Sequence, residues 1–313
     1  MDFQLLGDMQ HFIMGASAIW SKLIDQFGWV QMIDEQAQRE DCKLSAGTRM
    51  KALLINIATD RKALYKVQEF YEKRDTEVLL GQGVQASDLN DDALGRVLDI
   101  LYDLDMDKLY PQMALHTARQ LQVLDNFHDL LPFHSDTTSL SLTGDYPDQN
   151  SAGDDKAENK DDFQIARGDS KDHRPDLKQI IFGLSTLSGL PICANVEKGN
   201  QDDHTWNFEN IPRLLNALDE SVRDKSIYIA DSALVSEENL HLAAAEQAHF
   251  ISRLPSNYKL CEDLKRTAWE RRMHGKRWDA SGQRKTPPQI RFVRFVENYM
   301  AEHIDSLWFA PPA

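Results

Sequence analysis

Residues 130–146, LLPFHSDTTSLSLTGDY, decide how the chain is read, because here a helical periodicity gives way to an alternating one. Thr137, Thr138 and Ser139 make a poor helix and a good extended strand, so the stretch is expected to lie in a sheet. Within it stands a lone acid, Asp136. A charge inside a strand-forming run needs either open solvent or a compensating cation.

Upstream of that change, residues 1–128 read as a helical domain. Ser45 is a natural N-cap for the run SAGTRMKALLINIATDRKALYKVQEFYEK, with Met50, Leu53, Leu54 and Ile57 expected on its buried stripe. In SDLNDDALGRVLDILYDLD the corresponding stripe is Leu94, Val97, Leu98 and Leu101. A further helix is expected from about Asp107 toward Phe127, with Pro111 near its start, where a missing N–H is harmless.

Downstream, LKQIIFGLSTL and LPICANVE flank Ser188-Gly189 and read as a hairpin. A helix comes next near DHTWNFENIPRLLNALDESV, which Pro212 should end or bend. The strand SIYIAD, a helix in SEENLHLAAAEQA and the strand HFISRL complete a β-β-β-α-β-α-β order. That order defines an α+β or α/β fold with a mixed sheet covered by helices, not an all-parallel one. Between the first two strands, GDYPDQNSAGDDKAENKDDFQIARGDSKDHRPD is too polar to pack and is expected to form a mobile surface excursion. It lacks the register of a calcium loop.

The chain has 313 residues, a formal net charge of −15 and three widely spaced cysteines. Two domains, no disulfide framework, no zinc site and a cytoplasmic location are the expectations. No apolar run is long enough for a membrane span, and no membrane partner is expected. The acidity argues against a nucleic-acid partner on average, but the charge is uneven. Arg253 to Arg294 holds 12 Lys or Arg against four acids, leaving −23 for the remainder. Such a segment suits either a DNA-facing surface or a solvated basic face. Arg271, Arg272, Lys276 and Arg277 are its candidate phosphate contacts.

Asp231 closes the apolar run IYIAD, as Asp136 interrupts the first strand. Ligands gather at the carboxyl ends of strands in open sheets. If these two strands are neighbours, the acids meet, and hard carboxylate oxygens favour Mg²⁺ or Mn²⁺. The plainer alternative makes Asp136 a surface residue and Asp231 the cap of the next helix.

FHSDTTSLSLTGDY, SKDHRPDLKQIIFGLSTLSGLPICANVEKGNQDDHTW and YIADSALVSEENL followed by HFISRLP occur in an order and at separations that resemble the DDE transposases of bacterial insertion sequences. The group resembled has a ribonuclease-H-like core with a β-rich insertion, and the likeness covers residues 87–258, with the helical N-terminus like its accessory domain. The resemblance implies three parts: an accessory domain at 1–128 for DNA binding or dimerisation, an incomplete catalytic core at 129–258, and the basic start of an insertion at 259–313. It makes Asp136 and Asp231 the first two catalytic acids, holding two Mg²⁺ (or Mn²⁺) ions that activate water and then a 3′-hydroxyl to cut and join DNA. Gly199, Asn200 and Asp203 fall on a motif assigned first to support of the core and second to DNA contact, and His173 and Arg174 on one that contacts phosphate or stabilises its own loop. The implied partners are transposon-end and target DNA, with a second copy or a full-length transposase as protein partner. The family's third acid, a glutamate in a Y-x-x-R-x-x-x-E arrangement, has no counterpart here. The expectation is therefore a chain that stops within the insertion, as a frameshift or early stop would leave it. Such a chain would be inactive alone, or a non-catalytic DNA-binding or dimerising regulator.

Overall fold

The structure is a computed structural model. It describes residues 12–37, 42–127, 129–144, 146, 164–171, 173–256, 258–259, 262–263 and 266, and the backbone at 277–278 and 290–291. The chain divides into two compact units, Met1–Asn126 and Phe127–Ala313.

The first unit is helical among its described residues: α1 (Ser17–Gln26), α2 (Trp29–Gln36), α3 (Ala46–Thr59), α4 (Val67–Glu72), α5 (Thr76–Leu80), α6 (Asp91–Asp103) and α7 (Met106–Gln120). Ser45 caps α3 by accepting the Thr48 amide, and Asn90 caps α6 by accepting that of Ala93. The core joins Ile24, Leu53, Ile55, Phe70, Leu79, Leu94 and Val97. Each such side chain contributes about 1.5–3 kcal/mol on burial.

The stripes differ in part from the expected ones. Ile57 is 55% exposed and Leu98 46% exposed. In α3 the buried arc also takes in Arg49, Lys51 and Asn56, which are satisfied polar groups rather than a solvent face. Lys51 pairs with Asp25 at 2.6 Å, and Asn56 exchanges hydrogen bonds with the backbone of Lys62. Apolar spacing alone does not register a helix buried partly through polar partners. Pro111 is the sixth residue of α7, inside the helix rather than in its first turn, and α7 ends at Gln120, short of Phe127. Gln122, with φ of 56°, leaves the helical region just beyond that end.

The second unit contains β1 (Leu131–Leu142), β2 (Lys178–Leu187), β3 (Leu190–Glu197), α8 (Asp203–Ala217), α9 (Glu220–Arg223), β4 (Ser226–Ile229), α10 (Glu237–Ala245) and β5 (His249–Ile251). The five strands form one sheet in the order β3-β2-β1-β4-β5. β1–β2 and β2–β3 pair antiparallel, whereas β1–β4 and β4–β5 pair parallel. The mixed sheet with helices is the expected α+β architecture. The hairpin turns at Ser188 (φ 52°) and Gly189 (φ 80°), the left-handed pair that suits a two-residue connection. Further on, β6 (Arg277–Trp278) and β7 (Ile290–Arg291) form an antiparallel ladder. The polar connection at 147–163 lies outside the described residues.

β1 alternates strictly. Leu131, Phe133, Ser135, Thr137 and Ser139 are buried, while His134, Asp136, Thr138 and Leu140 are exposed. The buried face meets α8, whose Trp206, Ile211 and Leu214 are each 1% exposed. Pro212 does not end α8, which runs on to Ala217. The carbonyl that loses its donor there belongs to Phe208, an exposed residue, so solvent can take up that bond. Ile211, Leu214 and Leu215 meanwhile hold both halves of the helix on the sheet.

Candidate active site

β1 and β4 are parallel neighbours in register from Leu131↔Ser226 to His134↔Ile229. Asp136 stands two residues past His134, and Asp231 two past Ile229. The two acids therefore reach the same level of adjacent parallel strands, just past the end of β4 and midway along β1, which runs on to Leu142. Both line one cleft of about 670 Å³, together with His134, Thr138, Phe182, Leu184 and Ile229. The sheet thus brings together two side chains 95 positions apart in sequence.

Each carboxylate also has a local task. Asp136 Oδ1 accepts the Thr137 amide at 2.8 Å, and its side chain is 80% exposed. Asp231 Oδ1 accepts the Ala233 amide at 2.9 Å, capping the short 3-10 turn Ser232–Leu234. A capping role, on this turn and not on the helix α10 that the sequence suggested, thus coexists with the position in the cleft. The helix α10 has its own cap in Ser236.

The donor set suits a particular kind of ion. Two exposed carboxylates offer hard oxygens and leave most of a coordination sphere to water or phosphate, which fits Mg²⁺. Among the described residues no group of three or more His, Cys, Asp or Glu could hold a metal ion, so an all-protein cage is absent there.

Two residues that the motifs did not mark as part of this site join it. Lys171 Nζ lies 3.6 Å from Asp136 Oδ1 and 3.7 Å from Asp203 Oδ2. It donates to the carbonyl of Thr137 and, at 3.0 Å, to Thr137 Oγ1, which itself donates to Asp203 Oδ1. The signal for Lys171 lay one residue into SKDHRPD, but no periodicity governs a loop. Of the residues in that motif, His173 has φ of 56° and its amide donates to the Ser170 carbonyl at 3.0 Å. Arg174 grips Asp176 with two hydrogen bonds of 2.8 and 2.7 Å. That hydrogen-bonded pair holds the Asp176 carboxyl below its usual range and the Arg174 guanidinium above its own. Arg271, Arg272 and Lys276 lie outside the described residues, and Arg277 is described only as backbone in β6.

Gly199 is built into the support of β2. A methyl group at its α-carbon would lie 2.0 Å from the Gln179 carbonyl oxygen and 2.4 Å from that of Ala166. Gln179 Nε2 donates to the Gly199 carbonyl at 2.8 Å, clasping the GNQDD loop to the strand. Trp206 is a packing group, with its indole N–H on Asn195 Oδ1 at 3.2 Å.

Residues 13–115 match the family described as Domain of unknown function (DUF4277). No curated protein matches the chain. Among solved structures the chain is similar to the Mos1 transposase paired-end complex with left transposon end, at 9% identity and a TM-score of 0.26, covering 74% of this chain and 68% of that one. It is also similar to the piggyBac transposase synaptic complex with hairpin DNA, at 14% identity and a TM-score of 0.34, covering 82% of this chain and 54% of that one. A third is the Mos1 mariner paired end complex with Mn, at 10% identity and a TM-score of 0.26, covering 79% and 77%. Among the described residues no helix is long and apolar enough to cross a membrane.

Proposed function

We propose that the second unit is the core of a metal-dependent DNA strand-transferase of the transposase type, with Asp136 and Asp231 as its divalent-cation ligands. The observation that carries this reading is the shared level of the two acids on adjacent parallel strands, lining one cleft. The ordered motifs that resemble DDE transposases add the chemistry. A bound Mg²⁺ or Mn²⁺ would supply an activated oxygen nucleophile and stabilise the leaving oxygen of a phosphodiester. Asp136, fixed within β1, and Asp231, just past β4, would hold the cation and present an open cleft to the DNA backbone. In this reading the helical unit is an accessory domain for DNA binding or dimerisation.

Two acids bind a cation more readily than they complete phosphoryl transfer. Among the described residues no group of three such side chains could hold a metal ion, and Asp203 is engaged with Thr137 and Lys171, so the chain on its own is expected to bind Mn²⁺ and DNA without cutting. His173, Arg174 and the basic group Arg271, Arg272, Lys276 and Arg277 serve as phosphate contacts. For Arg174 that role requires sharing its guanidinium with Asp176.

The test is a Mn²⁺ titration monitored by electron paramagnetic resonance. The intact chain should take up Mn²⁺, and Asp136→Asn and Asp231→Asn should each weaken that uptake about tenfold or more. Uptake unchanged in both variants would remove the assignment.

A further inference from the structure

Lys171 is anchored away from Asp136 and only leans on it. Its own amide donates to Ser139 Oγ at 3.1 Å, fixing the loop against β1. Its ammonium is bonded to the carbonyl and hydroxyl of Thr137 and lies beside Asp203 at 3.7 Å. The Asp136 oxygen is 3.6 Å away, beyond hydrogen-bonding distance, on a side chain that is 80% exposed. β1 pairs with β4 only as far as His134, so at Thr137 that edge of the strand is open to the lysine.

We propose that Lys171 is the built-in counter-ion of the acidic cleft: it balances Asp136 while no metal is bound and is displaced from it by an incoming divalent cation, staying tethered to Thr137 and Asp203. This rests on the reading of Asp136 as a metal ligand. A divalent cation drawn to the same carboxylate meets the positive charge of the ammonium, and like charges at such range repel. The contact with Asp136, looser than the ammonium's bonds to Thr137, is the one for which the cation competes, so it is the one that must give way. Because the Thr137 bonds do not involve Asp136, Lys171 can swing off the carboxylate without releasing the loop. Lys171 is thus a positioning residue that tunes metal affinity.

The experiment compares Mn²⁺ affinity in the intact chain, Lys171→Met, Asp136→Asn and the double variant. Lys171→Met keeps the stem's length and removes the charge, so it should bind Mn²⁺ about two- to five-fold more tightly, the range expected from losing an exposed ion pair. Asp136→Asn should abolish that gain. Equal or weaker binding by Lys171→Met, with Asp136→Asn still lowering affinity in both backgrounds, overturns the counter-ion role and leaves the metal site standing. If Asp136→Asn binds Mn²⁺ as the intact chain does, the metal site itself falls and takes the counter-ion with it.

A second readout does not depend on the folding of Lys171→Met. In reductively ¹³C-dimethylated protein, the Lys171 methyl resonance, assigned by its loss in Lys171→Arg, should shift on adding Mg²⁺. In Asp136→Asn it should not respond. A resonance insensitive to saturating Mg²⁺ in the intact chain overturns the proposal.

Discussion

Tyr228 lies beneath the acidic cleft, at the centre of a hydrogen-bonded chain that ties three strands to α8. Its hydroxyl donates to Asn207 Oδ1 at 2.8 Å and accepts from Asn210 Nδ2 at 3.0 Å. Asn210 also reaches Ser185 Oγ, which pairs with Ser135 Oγ, the neighbour of Asp136. Tyr228→Phe leaves Asn207 Oδ1 without this donor, so it should cost about 1–3 kcal/mol in chemical denaturation. Burial pushes the Tyr228 hydroxyl up to about 12. A tyrosine in the unfolded chain ionises near pH 10. Between the two values the unfolded state holds fewer protons than the folded one, so stability falls as pH rises. The loss is roughly 2–3 kcal/mol by pH 12, and Tyr228→Phe should flatten that slope. Tyr71, buried and hydrogen-bonded to the Ala52 carbonyl, is raised for the same reason and sustains the remaining slope. Gly199 offers a second test at this scale. Its missing side chain lets the GNQDD loop touch Gln179 and Ala166, so Gly199→Ala should cost about 1–3 kcal/mol or more, read from the denaturation midpoint.

Elements differ in how far local chemistry foretells them. The N-cap Ser45 was legible from its residue type and the helix-forming run after it, and its side chain does accept the Thr48 amide. Ser45→Ala should cost about 0.5–2 kcal/mol, measured by thermal melting of the helical unit. The hairpin at Ser188-Gly189 was equally legible, since a serine-glycine pair between β-rich runs leaves few other solutions. The course of α8 was not, because whether a proline ends a helix depends on where the freed carbonyl faces. At Pro212 that carbonyl belongs to the exposed Phe208, and the apolar residues on either side fix the helix to the sheet. The buried arc of α3 was also hidden, since Arg49, Lys51 and Asn56 enter it through partners elsewhere in the chain. At the site, Asp136 and Asp231 stood out because each breaks a strand pattern. Lys171 and Asp203 joined them only through tertiary placement, by way of a loop and a helix start that carry no periodicity.

At the scale of the whole molecule, each compact unit has its own core. The cluster from Ile24 to Leu109 draws only on the helical unit, so Met1–Asn126 expressed alone should fold cooperatively with a helical circular dichroism spectrum. A random-coil spectrum would contradict that independence. In the other unit the proposed site depends on parallel pairing of β1 and β4 carrying two distant acids to one cation. Proton–nitrogen correlation spectra with sub-stoichiometric Mn²⁺ test this most directly, because the ion's unpaired electrons broaden amides near it. The amides of Asp136 and Thr137 and those of Asp231 and Ser232 should fade together, and Asp136→Asn should restore both tracts. Fading of one tract without the other, or of neither, would contradict the shared site.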